Sequence, residues 1–174
     1  MFDGLVALSG VHRGDEVLDV GCGTGYFAKR AARVVGPDGS VFGIDPSETV
    51  VEYATRTAPP NCRFVVAGAE RLPFPDNAFD VVVSSLAFHH LPPAARPEAL
   101  REVCRVLRPE GRLLLVDFRP PSGWVARRLV GAMSGHSMSH NPIDRLPDLI
   151  AAAGLTLFGS GDRWPLLRYF QAMK

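Results

Sequence analysis

Val17-Leu18-Asp19-Val20-Gly21-Cys22-Gly23-Thr24-Gly25 is a short apolar run that passes straight into three alternating glycines. The run from Glu16 to Val20 is rich in β-formers, and residues from about Thr24 to Val35 have a helical pattern that stops at Gly36-Pro37-Asp38-Gly39. That stop is turn chemistry, because glycine accepts a positive φ and proline cannot continue a helix. Strand, glycine turn and helix in immediate succession form a ligand-binding device. Gly21 and Gly23 let the main chain turn without a Cβ and come close to a ligand, and Gly25 lets the helix begin close to the strand. Cys22 lies inside the same loop and counts among its ligand-facing positions.

Outward from this loop the chain keeps alternating. Ser40–Ile44 reads as a second strand and Ser47 to about Thr57 as a helix with Ser47 as its N-cap. Arg63–Ala67 is a third strand. After the loop 72–77 comes a fourth, Phe79–Ser84, whose Val81-Val82-Val83 is apolar on both faces as a central parallel strand should be. A helix entered at Pro97 carries Leu100, Val103, Cys104 and Leu107 at helical spacing. Pro109-Glu110-Gly111 makes a turn into a fifth strand, Arg112–Val116. Past Asp117 the expected elements are a helix over 122–133, a polar loop over 134–143, and a helix from Asp144 to Ala153 stopped by Gly154. Two last strands, 155–158 and 164–172, are expected on either side of Gly159-Ser160-Gly161-Asp162, with Pro165 tolerated near the start of the second. The whole predicts an α/β fold: a Rossmann-like, doubly wound, mostly parallel sheet of about seven strands with an antiparallel last strand and helices on both faces. Residues 1–174 read as one domain, with a cofactor half over about 11–118 and a cap and C-terminal part over about 119–174.

Composition narrows the partners. Of 174 residues, 47% are hydrophobic and 21% charged, which excludes a disordered chain, and the formal net charge of +1 supplies no bulk attraction to nucleic acid or an acidic membrane. No apolar run approaches the roughly 20 residues of a spanning helix, and no basic segment precedes an apolar core as in a signal peptide. Cys22, Cys62 and Cys104 are far apart, with neither a C-x-x-C pair nor zinc spacing. The expectation is reduced thiols, a cytoplasmic protein and no metal site.

Asp45 ends the second strand, twenty positions after Gly25. A carboxylate there accepts hydrogen bonds from both hydroxyls of a ribose, so the pair of features predicts an adenosine-type ligand. A dinucleotide loop would place its third glycine one residue later. Asp19, two residues before the first glycine, would repel a pyrophosphate and favour a cationic ligand. Both points oppose a nicotinamide-dependent oxidoreductase.

With Gly-Ile-Asp-Pro-Ser at 43–47 and the long stretch from Ala67 to Leu91, the sequence resembles the class I S-adenosylmethionine-dependent methyltransferases. Within them it is similar to the small-molecule branch that includes the ubiquinone/menaquinone C-methyltransferases. Leu107-Arg108-Pro109-Glu110-Gly111-Arg112 also matches, with Glu110 where that branch often has glycine. The resemblance implies S-adenosylmethionine as cofactor and S-adenosylhomocysteine as product. It places Gly21 and Gly23 by the methionine part, Asp19 by its amino group, Asp45 on the ribose and Pro46 against the adenine. Gly68-Ala69-Glu70 falls where the family contacts adenine, but the usual residue at position 68 is an aspartate. Losing that hydrogen bond is worth about 0.5–1.5 kcal/mol. Ser84 and Ser85 are expected beside the methionine group.

The implied reaction is in-line methyl transfer to a small organic molecule, with His89 and Asp117, at the ends of neighbouring strands, as candidate general base. Which of His89 and His90 faces the pocket is left open by spacing. His136 and His140 fall in the loop where the family builds its substrate cap. The helix over 122–133, with the pair Arg127-Arg128, either packs on the sheet, caps an apolar substrate or touches a membrane surface. The few residues before the first strand point to an open pocket, a large substrate or a lid from another subunit, and a homo-oligomer stays open. The alternative function is a protein that binds the same cofactor without methyl transfer, as a sensor or degenerate partner subunit. Nucleic-acid methylation is opposed by Ser84-Ser85-Leu86-Ala87, which lacks the Asn/Asp-Pro-Pro-aromatic motif used against a flipped base.

Overall fold

The computed structural model describes residues 2–119, 143–163 and 166–174. The expected helix over 122–133, nearly all of the polar loop after it, and Pro165 lie outside these residues. The described elements in chain order are α1 (Phe2–Ser9), β1 (Glu16–Val20), α2 (Tyr26–Val35), β2 (Ser40–Asp45), α3 (Glu48–Arg56), β3 (Cys62–Val66), β4 (Phe79–Ser85), α4 (Arg96–Val106), β5 (Leu107–Phe118), α5 (Leu146–Ala152), β6 (Thr156–Arg163) and β7 (Leu167–Met173). One-turn 3₁₀ helices occupy Phe88–His90 and Ile143–Arg145.

These strands form one seven-stranded sheet in the order β3-β2-β1-β4-β5-β7-β6. The pairs from β3 to β5 are parallel, and β7 runs antiparallel to both β5 and β6. The order reverses between β1 and β4, so the carboxyl ends of those strands open the crevice in which an open α/β sheet binds ligands. The period-2 alternation of each strand divides the core into two layers. Leu18, Val82, Leu113 and Leu115 pack with Leu100 and Val103 of α4 and Leu146 and Ile150 of α5. Val17, Val81, Val83, Leu114 and Val116 face the other way, onto Leu5 of α1 and Phe27, Ala28 and Ala31 of α2. By the same alternation Asp19 follows Val17 onto the α2 side.

Three local expectations are corrected. Gly159-Ser160-Gly161-Asp162 lies inside β6 and pairs residue by residue with Gln171, Phe170, Tyr169 and Arg168 of β7. Its glycines leave room for their partners: a Cβ at 159 would sit 2.6 Å from the Gln171 side chain and one at 161 would sit 2.7 Å from the Tyr169 hydroxyl. Ser47 holds the N-cap position of α3 without a side-chain cap bond; its own N–H donates instead to Asp45 Oδ1 at 3.0 Å. Pro109-Glu110-Gly111 interrupts the β4–β5 pairing, which moves from Phe79↔Leu107 to Val81↔Arg112.

Glu110 in that interruption has φ 64°, a left-handed conformation that strains any residue with a Cβ. The glycine common at this position in the resembled branch has no such strain. Glu110→Gly is expected to raise stability by about 0.5–1 kcal/mol. An unchanged or lowered urea midpoint for the variant would refute the strain.

Candidate functional site

The glycine loop is left-handed at alternate positions: φ is 74° at Gly21, 51° at Gly23 and 75° at Gly25. A Cβ on Gly21 would fall 2.2 Å from Ala87 Cβ, and one on Gly25 would fall 2.6 Å from the Phe64 ring. The loop is stitched to the end of β2. The N–H groups of Gly21 and Cys22 both donate to the Ile44 carbonyl at 2.9 Å, and Gly23 N–H donates to Asp45 Oδ2 at 3.0 Å. Each Asp45 oxygen therefore accepts one backbone N–H and has capacity for a second donor, as two ribose hydroxyls would require.

Near this loop three buried polar atoms have no hydrogen-bond partner among the described residues: Asp19 Oδ2, Ser84 Oγ and Ser85 Oγ. Each such atom costs about 1–3 kcal/mol unless a ligand satisfies it. Asp19 is 1% exposed. Burial raises its carboxyl pKa from 3.8 to about 7; the backbone amide of Ala28 opposes the rise and the charge of Asp45 adds to it. An ammonium group placed here would restore the carboxylate and supply the missing donor. The donor and acceptor pattern thus fits an amino-acid moiety that bears a cation.

Two cavities flank the loop. The larger, about 370 Å³, is lined by Gly21, Asp45, Pro46, Gly68, Ala69, Glu70 and Ser84, together with Phe88, His90, Leu91 and Pro92. The smaller, about 250 Å³, is lined by Asp19, Gly21, Cys22, Gly23 and Ser85, with Phe2 and Tyr26 at its wall. The loop that follows Glu70 is held by Arg105, which donates to the carbonyls of Phe74 and Leu72 and pairs with Asp76 and Glu102. Glu102 in turn accepts the Leu72 N–H at 2.7 Å. Phe74 packs edge-on against Phe42 and Phe79, which fixes the loop to β2 and β4.

His89 and Asp117 are brought together. Asp117 is fully buried, and its carboxylate accepts three hydrogen bonds at 2.7 Å, from His89 N–H, His89 Nδ1 and Phe118 N–H. An acceptor-only partner sets the tautomer: Nδ1 carries the hydrogen and Nε2 is the basic atom. Buried Arg96 donates to the carbonyls of Leu91 and His89 and pins the turn from below. His90, stacked on His89 at 3.9 Å between ring centroids, is the histidine that lines the larger cavity. Burial, then the charge of His89, lowers its pKa below 6.5.

Sequence reasoning did not reach Ile44, Phe88, Leu91 and Pro92, the apolar walls of the larger cavity. They are ordinary hydrophobic residues; only the position of 88–92 directly after β4 could have signalled them. It also missed Phe2, because α1 carries no motif, and Tyr26, the first residue of α2. No group of three or more potential metal ligands occurs among the described residues, and no helix among them is long and apolar enough to cross a membrane.

Asp19 makes the stability of the ligand-free protein pH-dependent. Its folded pKa lies above the unfolded one, so its contribution is complete below about pH 4 and is lost as pH rises through 7. The stability gap between wild type and Asp19→Asn is expected to shift in favour of the variant by up to about 4 kcal/mol between pH 4 and pH 8. Urea unfolding of both proteins across that range measures it, and parallel curves would contradict the buried-acid assignment.

Residues 17–111 match the family model described as a methyltransferase domain. The "Ubiquinone/menaquinone biosynthesis C-methyltransferase UbiE" of Azotobacter vinelandii is 40% identical over 134 residues, 74% of this chain and 52% of that protein. The chain thus spans about half the length of the curated relatives it matches. A SAM dependent methyltransferase from Aquifex aeolicus superposes with TM-score 0.83 at 22% identity, covering 99% of this chain and 88% of that one. An S-adenosylmethionine dependent methyltransferase from Mesorhizobium loti superposes with TM-score 0.79 at 18% identity, covering 99% and 96%. These two likenesses show the fold, and the sequence match shows the family: the chain belongs to the methyltransferase domain family.

Proposed function

We propose that this chain transfers a methyl group from S-adenosylmethionine to a small organic acceptor. The observation that carries the reading is a left-handed glycine loop between two cavities with buried unpartnered polar atoms on both sides of it, those of Asp19 and Ser85 on the side of the smaller cavity and that of Ser84 on the side of the larger. When bound, S-adenosylmethionine supplies an electrophilic methyl group on a sulfonium. The protein's part is to hold and align the partners. Asp45 takes the ribose hydroxyls. Asp19 takes the ammonium with Ser85 on the same side, and Ser84 faces the methionine part from the side of the larger cavity. Pro46, Ala69 and Leu91 enclose the adenine. The main chain of Gly21, Cys22 and Gly23 lies along the methionine part, where no side chain intrudes. Alignment of attacking atom, methyl and sulfur can supply several kcal/mol of the barrier reduction.

The name of the Azotobacter relative points to a carbon of an electron-rich quinone-precursor ring as the first acceptor to try. Transfer to such a carbon releases one ring proton. In this reading His89 Nε2 receives it while Nδ1–H stays on Asp117 Oδ1, and Asp117 orients the ring and stabilises the imidazolium. We assign the whole chain to one such domain in the cytoplasm, its cysteines free.

Calorimetric titration tests the cofactor. S-adenosylmethionine and S-adenosylhomocysteine are expected to bind, NAD is not, and Asp45→Ala should weaken both by more than about tenfold. Equal binding to the variant, or binding of NAD alone, would end the reading. For the base, His89→Gln and Asp117→Asn are expected to lower kcat by about 10²–10⁴ with S-adenosylhomocysteine affinity retained. Full turnover by both variants would remove His89 and Asp117 from the chemistry.

A further inference from the structure

The larger cavity has apolar walls, with Ile44, Ala67, Phe88 and Leu91 among them, and two carboxylates at its edge, Asp45 and Glu70. They are not equivalent. Both oxygens of Asp45 already hold backbone N–H groups at 3.0 Å. Glu70, next to Ala69 on the loop after β3, accepts no hydrogen bond and pairs with no cation among the described residues. Its position explains its neighbour. A Cβ at Gly68 would sit 2.7 Å from Glu70 Oε2, so any side chain at 68 would drive the Glu70 carboxylate away. The Gly68 backbone is not left-handed, and its conformation therefore does not demand glycine. What glycine provides is space, and Glu70 occupies it.

An ionised carboxylate can only accept hydrogen bonds. A flat ligand held between apolar walls must therefore bring an N–H to that edge: an amino-substituted ring fits, and a ring bearing a carbonyl oxygen there meets like against like. We propose that Glu70 reads the exocyclic amine of the bound adenine, in place of the aspartate that the resemblance expects at position 68, and so makes the cavity select aminopurine over oxopurine. The glycine at 68 is then one half of an exchange in which the acceptor has moved two residues along the chain. The inference rests on the proposed cofactor.

The test is calorimetry with S-adenosylhomocysteine and its 6-oxo counterpart, S-inosylhomocysteine. Wild type is expected to prefer the adenosyl compound by roughly tenfold to a hundredfold. Glu70→Ala should bring the two within about threefold, and adding Gly68→Asp to Glu70→Ala should restore the preference. Gly68→Asp alone crowds two carboxylates and should bind the adenosyl compound more weakly than wild type. Near-UV circular dichroism of each variant checks that it is folded. Full preference in Glu70→Ala, or no restoration in the double variant, overturns the role of Glu70 and leaves the cofactor reading intact. If wild type binds the adenosyl compound with no preference, the outcome is the same. If wild type binds neither compound, the cofactor reading falls and this inference falls with it.

Discussion

The carbonyl of Ile44 is the joint on which the site depends. It is the last fully buried backbone acceptor of β2, and it receives two N–H groups from the turn that follows β1. Asp45 adds a third bond to the same turn through its side chain. The neighbouring strand thus holds a loop of left-handed residues that no α or β ladder could hold. The cavities on either side inherit their spacing from this joint, because Gly21 lines both of them. Once β1 and β2 are in register, the loop has few other places to go. The residues that would touch a ligand are therefore positioned by sheet pairing rather than by their own preferences.

The site is also an electrostatic arrangement with one sign. Asp19, Asp45, Glu70 and Asp117 stand near the carboxyl ends of the strands, and all but Glu70 are accommodated by the protein in different ways. Asp45 is held by two backbone N–H groups, Asp117 by hydrogen bonds from His89 and the Phe118 N–H, and Asp19 keeps its proton up to about pH 7. The same field affects the thiols. Burial, reinforced by the charge of Asp19, pushes the Cys62 thiol up to about 12 and raises the Cys22 thiol as well. Neither thiol is available as a thiolate near neutral pH, so nucleophilic cysteine chemistry has no footing beside the glycine loop.

Much of this was written in the chain. Strand, glycine turn, helix and the acid ending β2 are short-range patterns whose spacing has one physical reading, and β1 through β4 fall close to where those patterns put them, whereas β5 begins at Leu107, ahead of the expected Arg112. Elsewhere the signals were ambiguous. Gly159-Ser160-Gly161-Asp162 has turn composition, yet it is strand, because Gln171 and Tyr169 of β7 lie across the glycines. That fact depends on residues eight and twelve positions away. Glu110 looked like a departure from the family, and its positive φ shows that the backbone requirement is unchanged. The choice between His89 and His90 was undecidable from spacing, since a 3₁₀ turn sets which ring faces Asp117. The partnership of Gly68 with Glu70 was equally hidden, because a glycine in sequence records an absence and says nothing of what fills the space.

The strand order carries one more implication, for how the sheet is completed. β6 precedes β7 in the chain, but β7 lies between β6 and β5. As the polypeptide leaves the ribosome, β6 therefore emerges with no strand to join. Until β7 arrives, the β5 edge, with Leu113, Leu114, Leu115 and Val116 in it, is an open row of backbone donors and acceptors. Such an edge is prone to pair with another copy. β6 and β7 pair locally as a hairpin, but closure also requires β7 to dock antiparallel on β5, Leu167 opposite Phe118, a non-local step that tends to be slow. The half of the molecule that binds the ligand can thus be laid down first, and protection against misassembly comes last.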